Sequence, residues 1–218
     1  MTTPASALRL HRVRIALGER VLIDDFNVKV AAGVCTTVMG ASGSGKSTLL
    51  AYLSGTLAPA FTAGGEVFIG DVEVTRLPPE RRGIGILFQD DLLFPHMSVG
   101  TNLAFALPAE VKGRAARDIQ VADALREAGL SGFEARDPAT LSGGQRARVA
   151  LMRTLLAHPR ALLLDEPFNK LDARLRSDFR AFVFEHARER RLPILLVTHD
   201  EQDARAAGGP LIELGGTA

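Results

Sequence analysis

The chain has 218 residues, a charged fraction of 23% and a net charge of +1. These values are typical of a globular protein with one large domain, and they exclude a disordered or fibrous chain. The small net charge argues against a surface built to bind nucleic acid, so no nucleic acid partner is expected.

The features of secreted and membrane-spanning proteins are missing from the sequence. Cys35 is the single cysteine, so an intramolecular disulfide is excluded, and we expect this residue to be small, apolar and buried. Met1–Ala7 lacks the basic start and apolar stretch of a secretory signal. No apolar run approaches the roughly 20 residues that span a bilayer. We therefore expect a soluble protein that reaches a membrane only through a partner.

The N-terminal part of the chain has the pattern of strands followed by a helix. Residues 8–30 alternate apolar and polar positions around Gly18-Glu19, which predicts an antiparallel hairpin. Val34–Met39 predicts a buried strand. Ser47–Leu53 predicts a helix that Gly55 ends.

The loop between this strand and this helix fits the pattern G-x-x-x-x-G-K-[ST]. Backbone N–H groups of such a loop wrap the α- and β-phosphates of a nucleotide, and Lys46 is expected to reach the β- and γ-phosphates. The Ser47 hydroxyl is expected to bind Mg²⁺. The predicted nucleotide-binding residues here are Gly40, Ala41, Ser42, Gly43, Ser44, Gly45, Lys46, Ser47 and Thr48.

Two further strand patterns precede an amide residue. Gly65–Asp71 predicts a strand and a turn, and Ile84–Phe88 predicts a short buried strand. Gln89 follows directly, where its neutral amide can bind the water shell of a metal ion and move with the next loop. We therefore predict catalytic and metal-binding roles for Gln89.

Helix patterns replace the strand patterns between residues 90 and 157. Arg114–Ala128 is amphipathic and Gly129 stands at its expected C-terminus. Arg146–Leu156 predicts a second helix, preceded by the segment Leu141–Gln145. The two glycines of this segment and the helix N-terminus suit a phosphate, although a plain glycine turn with a serine N-cap also fits.

The strand pattern returns in the last third of the chain. Ala161–Leu164 and Pro193–Val197 are apolar runs without polar interruption, as in strands buried on both faces of a parallel sheet. A helix pattern from Ala173 to Arg190 separates them. We therefore predict an α/β core with a helical insertion.

Ionisable side chains follow both of these strands. Asp165 is the expected partner of Mg²⁺, and Glu166 is expected to orient or deprotonate the water that attacks the γ-phosphate. Because adjacent strand residues point to opposite faces, both can act only if the strand ends here, as Pro167 indicates. His199 follows the second strand and is expected to contact the γ-phosphate or the attacking water.

This set of motifs resembles the ATP-binding subunits of ABC transporters in order and spacing, over nearly the whole chain. Phe88-Gln89 followed by Leu93–His96, together with Glu166–Phe168, is most similar to bacterial binding-protein-dependent importers of thiamine, iron and sulfate. The matching motifs are the phosphate loop at 40–48, Gln89, Leu141–Gln145, Leu162–Glu166, Lys170–Asp172 and His199.

The resemblance implies a P-loop NTPase fold with an ABC-type ATPase core. Residues 1–218 would form a single domain. Within it, residues 1–89 and 158–218 would make the α/β core with an N-terminal antiparallel β subdomain, and residues 90–157 the helical subdomain.

The resemblance also implies an ATP-binding and ATP-hydrolysing motor of a membrane transporter, most similar to solute importers. Two copies would form a head-to-tail homodimer around two ATP molecules and their Mg²⁺ ions. The phosphate loop of one copy and the Leu141–Gln145 segment of the other would enclose each nucleotide, and Asp172 would couple the two sites. The residues implied to act across the interface are Ser142, Gly143, Gly144 and Gln145.

The implied partners are transmembrane permease subunits and, indirectly, a substrate-binding protein. The chain would lie at the cytoplasmic face of the plasma membrane, held there by the permease. Phe94–Met97 would lie near the groove that receives a helix of the membrane subunit.

Three departures from the family pattern stand out. Leu17 precedes Gly18, where family members usually place an aromatic residue against adenine, so Leu17 is expected to pack on the base without π-stacking. Asn169 replaces a common serine. Few residues follow His199, so we expect this chain to differ from the sugar importers in lacking their C-terminal regulatory domain.

Two alternatives of different function remain. An ATPase of an efflux or lipoprotein-release system would be equally compact. A non-transport ABC ATPase of chromosome organisation, DNA repair or ribosomes fits less well, because the chain has one set of motifs, one cysteine and no heptad pattern.

Overall fold

The computed structural model describes residues 6–215. Residues 1–5, which make up most of the segment predicted to lack a signal peptide, lie outside the described part. No helix within residues 6–215 has the length and apolar character needed to cross a lipid bilayer. The described chain forms two compact units, one from residues within 1–86, 160–166 and 181–218 and one from residues 87–159 and 167–180.

An antiparallel sheet forms the N-terminal part of the first unit, as the sequence predicted. Its first two strands are joined by the turn at Gly18-Glu19, where Gly18 has a φ of 57°. The strand order is β2-β1-β4-β5, so β1 lies between β2 and β4. The bounds are β1 Leu8–Leu17, β2 Arg20–Val30, β4 Phe61–Ile69 and β5 Val72–Glu73.

A second sheet, with strand order β6-β7-β8-β3-β9, forms the rest of the core. Strands β7, β8, β3 and β9 pair in parallel, and all of β8 is buried, as continuous apolar runs predict. The bounds are β3 Cys35–Met39, β6 Ile84–Leu87, β7 Ala161–Asp165, β8 Ile194–Val197 and β9 Leu211–Glu213.

The prediction of a buried strand at Ile84–Phe88 was partly wrong. Strand β6 lies at the edge of its sheet, so most of its residues are only half-buried. Phe88 falls outside the strand and is 40% exposed. Strand β9 was not predicted, because a three-residue strand has too short a pattern to recognise and depends on its pairing with β3.

Helix α1, Lys46–Ser54, carries the end of the phosphate loop, and both of its ends have a structural cause. It begins after Gly45 and ends at Gly55, each with positive φ, as the sequence predicted for Gly55. The buried guanidinium of Arg82 donates to the carbonyl oxygens of Tyr52 and Leu53 at 2.7 and 2.9 Å. These bonds satisfy two of the last four carbonyl groups of α1 and fix the helix in the core. The same burial lowers the pKa of Arg82.

Helices dominate the second unit. Residues 88–159 contain no strand, which agrees with the loss of strand patterns in this part of the sequence. Gly129, with a φ of 70°, follows the end of α3 as predicted. The bounds are α2 Val99–Phe105, α3 Arg114–Glu127 and α4 Gly143–Leu156, while α5 Ala173–Glu189 begins in this unit and α6 Glu201–Ala207 belongs to the first.

Candidate functional site

Glycines shape the loop between β3 and α1. Gly43 and Gly45 have φ values of 77° and 94°, a conformation that other residues rarely adopt. A Cβ added at Gly40 would lie 2.5 Å from the carbonyl oxygen of Leu214, which no real side chain tolerates. The backbone can therefore follow this path only with glycine at these positions.

The loop holds a buried lysine in a position that suits a phosphate. The ammonium of Lys46 donates to the carbonyl oxygens of Gly40 and Ala41 at 2.7 and 2.9 Å. Lys46 is also the first residue of α1, where backbone N–H groups have no acceptor within the helix. A cation and several N–H donors thus converge on one loop, which is the arrangement that binds a polyphosphate.

Two oxygen-bearing side chains meet beside the lysine. The Ser47 hydroxyl donates to a carboxylate oxygen of Asp165 at 3.1 Å. The pKa of Asp165 is raised above its ordinary value, mainly because burial disfavours the charged carboxylate, and the hydrogen bond from Ser47 only partly offsets this rise. A hydroxyl and a carboxylate fit Mg²⁺, which binds through one or two protein oxygens and completes its shell with phosphate and water.

The backbone leaves the extended conformation at Glu166, the residue after the end of β7. Strand β7 stops at Asp165, and Glu166 has a φ of 47° while its N–H donates to Val197 O at 2.9 Å. A carboxylate oxygen of Glu166 lies 3.2 Å from Nδ1 of His199. Both side chains line a cleft of about 510 Å³ together with the phosphate loop. The carboxylates of Asp165 and Glu166 are therefore adjacent in sequence but contact different side chains, Ser47 and His199 respectively.

Thr198 and Asp203, which the sequence did not single out, hold the turn that carries His199. The buried Thr198 hydroxyl donates to the carboxylate of Asp203 at 2.9 Å and accepts from the N–H of Asp200 at 3.1 Å. Asp200 in turn is the N-cap of α6, with its carboxylate 2.7 Å from the N–H of Gln202. The N-cap pattern is the one signal in the sequence that could have indicated this helix start.

The apolar residue that lines the cleft differs from the one expected to contact adenine. Leu17 ends β1 and is 45% exposed, but the cleft is lined by Leu22 of the next strand. A Cβ added at Gly45 would lie 3.3 Å from the Cβ of Leu22. Leu22 therefore lies directly beside the phosphate loop.

In the second unit, helix α4 begins at Gly143, three residues before the predicted helix start at Arg146, so both glycines of the segment Leu141–Gln145 belong to its first turn. Ser142 is the N-cap, as expected, and its hydroxyl accepts from the N–H of Gln145 at 3.3 Å. The Gln145 side chain accepts from the N–H of Ser142 at 2.9 Å, which completes a capping box. The N–H groups of Ser142 and Gln145 thus both have acceptors within the protein.

The two glycines between them lie in the first turn of α4, where N–H groups have no acceptor in the helix. The two glycines differ in the space that a Cβ atom would have. A Cβ added at Gly144 would lie 3.2 Å from Leu175, whereas one at Gly143 would lie no closer than 3.9 Å to any neighbour. Gly144 therefore allows close packing with α5, and Gly143 leaves its backbone accessible to a ligand.

The residues after Gln89 are tied to α4 by charged groups. A carboxylate oxygen of Asp91 lies 2.9 Å from Arg146, whose guanidinium also donates to the carbonyl oxygen of Leu141 at 2.8 Å. Asp90 pairs with Lys170. The pair of Asp91 with Arg146 links the loop after Gln89 to the start of α4 within one unit, and the pair of Asp90 with Lys170 links it to the segment before α5. No sequence pattern indicates these contacts, because they join residues far apart in the chain.

A buried amide holds the loop Phe94–Met97. The side chain of Asn102 donates to the carbonyl oxygens of Phe94 and Met97 at 3.1 and 3.2 Å and accepts from the N–H of Phe94 at 2.8 Å. The loop expected to face a membrane subunit therefore has a fixed backbone.

The structure divides the predicted site residues between the two units. In the first unit it brings together the phosphate loop, Asp165, Glu166 and His199. Gln89, the Leu141–Gln145 segment and Asp172 lie in the second unit, where Asp172 caps α5 by accepting from the N–H of Leu175 at 3.0 Å.

Comparison with known proteins agrees with this geometry. A sequence profile described as "ABC transporter" matches residues 23–169. The chain is 51% identical over 199 residues to the uncharacterized ABC transporter ATP-binding protein YnjD of Escherichia coli, and the match covers 91% of each chain. It is 43% identical over 187 residues to the sulfate/thiosulfate import ATP-binding protein CysA of Mycobacterium tuberculosis, covering 86% of this chain and 52% of that one.

Proposed function

The chain belongs to the ABC transporter family of ATP-binding proteins, and from this premise we propose that it is the motor subunit of a solute importer. Members of this family bind and hydrolyse ATP to power transport, so the chain is an ATPase with a P-loop NTPase fold. The observation that carries the proposal is the single cleft that joins the phosphate loop, Glu166 and His199.

The residues of this cleft have complementary tasks in hydrolysis. Lys46 and the first N–H groups of α1 bind the phosphates and offset the charge that develops as the bond to the γ-phosphate breaks. Glu166 orients and deprotonates the attacking water, and His199, 3.2 Å away, holds the Glu166 carboxylate in place. Mg²⁺ bound through Ser47 and Asp165 would supply further charge stabilisation to the phosphates.

The unit of catalysis in this proposal is a dimer of two identical chains. The capping box leaves the N–H groups of Gly143 and Gly144 at the positive end of a helix of 14 residues. Such an N-terminus suits an anion, and we assign the γ-phosphate of the ATP held by a second copy as that anion. Because each chain carries both halves, two copies arranged head to tail would complete two sites.

A Gly143→Ala substitution should separate folding from function. Alanine fits at this helical position without a clash and lowers the conformational entropy of the unfolded chain. The free energy of unfolding should therefore increase by up to about 1 kcal/mol. The added methyl group would, however, stand between the N–H groups and a phosphate oxygen. We expect ATP-driven dimerisation, measured by sedimentation, to be lost while ATP binding to the monomer is kept.

The matched control is Ala147→Gly, one turn further along α4 and away from its N-terminus. This change should cost about 1 kcal/mol of stability and leave dimerisation intact. If the Gly143→Ala variant dimerised at the same ATP concentration as the wild type, the proposal that Leu141–Gln145 lies at the dimer interface would be wrong.

Membrane partners follow from the same proposal. The name of the tuberculosis relative describes an import ATP-binding protein, which supports a permease subunit as the direct partner and a substrate-binding protein as the indirect one. The chain would then lie peripherally at the cytoplasmic face of the membrane. Purification of the tagged chain from native membranes distinguishes an importer from an efflux or lipoprotein-release system. The ATPase of an importer should copurify with a permease that binds a substrate-binding protein, whereas the ATPase of an efflux system should not.

A further inference from the structure

The turn that carries His199 is built around a buried hydroxyl group. Thr198 and Asp203 are both fully buried. The Thr198 hydroxyl donates to the carboxylate of Asp203 at 2.9 Å and accepts from the N–H of Asp200 at 3.1 Å. One side chain thereby bonds to the residue directly after His199 and to a residue of α6.

The two partners of this hydroxyl allow one arrangement of its hydrogen bonds. An ionised carboxylate only accepts hydrogen bonds and a backbone N–H only donates them, so the hydroxyl proton points to Asp203 and a lone pair points to Asp200. Because Thr198 and Asp203 are buried, water does not compete for the bond between them. The hydroxyl therefore fixes the backbone on both sides of His199.

The His199 ring depends on this turn for its position. Its side chain is 61% exposed, and its Nδ1 lies 3.2 Å from a carboxylate oxygen of Glu166. A ring with so much exposed surface is held weakly by packing. The backbone at His199 therefore decides how closely the ring approaches Glu166.

The residues before His199 also hold Glu166. The N–H of Glu166 donates to the carbonyl oxygen of Val197 at 2.9 Å, and the N–H of Thr198 donates to the carbonyl oxygen of Val38 in β3 at 3.3 Å. Thr198 is thus fixed through both its side chain and its backbone, next to the residue that binds the Glu166 backbone. A shift of this turn would change the distance between the His199 ring and the Glu166 carboxylate.

We propose that Thr198 and Asp203 are positioning residues for ATP hydrolysis, which hold His199 against the Glu166 carboxylate. The inference rests on the proposed function, because it takes Glu166 as the base and His199 as the group that holds it. Neither Thr198 nor Asp203 is among the described residues that line the cleft. Their loss should therefore lower kcat and leave the affinity for ATP near its wild-type value.

A Thr198→Val variant removes the hydroxyl and keeps the shape of the side chain. We expect kcat to fall about 10- to 100-fold, since displacement of a catalytic group by about 1 Å can cost as much. Thr198→Ser restores the hydroxyl and should hydrolyse ATP near the wild-type rate. The matched control is Thr36→Val, at a buried threonine of β3 in the same sheet, and it should keep the wild-type kcat.

A His199→Ala background separates positioning from a loss of folding. If Thr198 acts through His199, Thr198→Val should cause little further loss of kcat once the imidazole is absent, whereas damage to folding should lower kcat in both backgrounds. Phosphate release at saturating ATP gives kcat, below the unfolding temperature of every variant. Asp203→Asn removes the charge of the acceptor and should show a smaller loss with the same dependence on His199. It takes the place of Thr198→Val if that variant does not fold.

The outcomes separate this inference from the proposed function. A wild-type kcat in Thr198→Val, or equal losses with and without His199, would overturn the positioning role alone. If His199→Ala hydrolysed ATP at the wild-type rate, the proposed role of His199 would fail, and the assignment of Thr198 and Asp203 would fail with it.

Discussion

The Glu166→Gln variant is expected to bind ATP as tightly as the wild type and to hydrolyse it about 100- to 10,000-fold more slowly, the usual loss on removing a general base. Glutamine keeps the size and hydrogen-bonding capacity of the side chain beside His199 but cannot take a proton from water. The positive φ of Glu166 is retained, so the end of β7 should not change.

The measurements are phosphate release at saturating ATP and equilibrium binding of ATP. Sedimentation should show an ATP-bound dimer that accumulates because hydrolysis no longer opens it. Glu189→Gln, at an exposed position at the end of α5, is the matched control and should behave as the wild type. Hydrolysis near the wild-type rate in Glu166→Gln would show that another group activates the water.

The Lys46→Met variant is expected to lose about 10- to 100-fold in ATP affinity, since a hydrogen bond to a charged phosphate is removed. Methionine retains the apolar stem of a side chain that is buried in the loop, so the change is mainly the loss of the ammonium. Because Lys46 is assigned to the β- and γ-phosphates, affinity for AMP should fall much less than affinity for ATP.

Equilibrium titration with ATP, ADP and AMP measures this difference. Thermal unfolding without nucleotide provides the folding control, because the lysine also bonds to the carbonyl oxygens of Gly40 and Ala41. ATP affinity equal to that of the wild type would contradict the phosphate-binding role of Lys46.

The sequence predicted the elements whose causes are local. The hairpin around Gly18-Glu19, the end of α1 at Gly55 and the buried strand β8 each follow from alternation, a glycine with positive φ or a continuous apolar run. The capping box of α4 was also visible in principle, because Ser142 and Gln145 stand three residues apart.

What the sequence could not predict depends on pairings between distant segments. The buried hydrogen bond between Thr198 and Asp203 could not be predicted, because Asp203 lies in helix α6 and the sequence of that helix has no apolar pattern. The start of β4 at Phe61 also could not be predicted, because the residues around Gly64-Gly65 show no alternation and only the pairing with β1 extends the strand to this point. The pair formed by Asp91 and Arg146 likewise joins residues far apart in the chain.

The head-to-tail dimer is the central claim, and cross-linking between chains tests it most directly. Burial raises the pKa of the single native thiol, Cys35, to about 12, so it should not react with thiol reagents in the folded protein. Introduced thiols at two exposed positions, Ser42→Cys in one chain and Thr140→Cys in another, can therefore be joined selectively by a short bifunctional reagent.

Both chains would also carry Glu166→Gln, so that ATP stays bound. We expect cross-linked dimers when the two kinds of chain are mixed with ATP, and little product from either kind alone or without ATP. Equal cross-linking by either kind alone, or cross-linking within a monomer that carries both thiols, would contradict a site completed by a second copy.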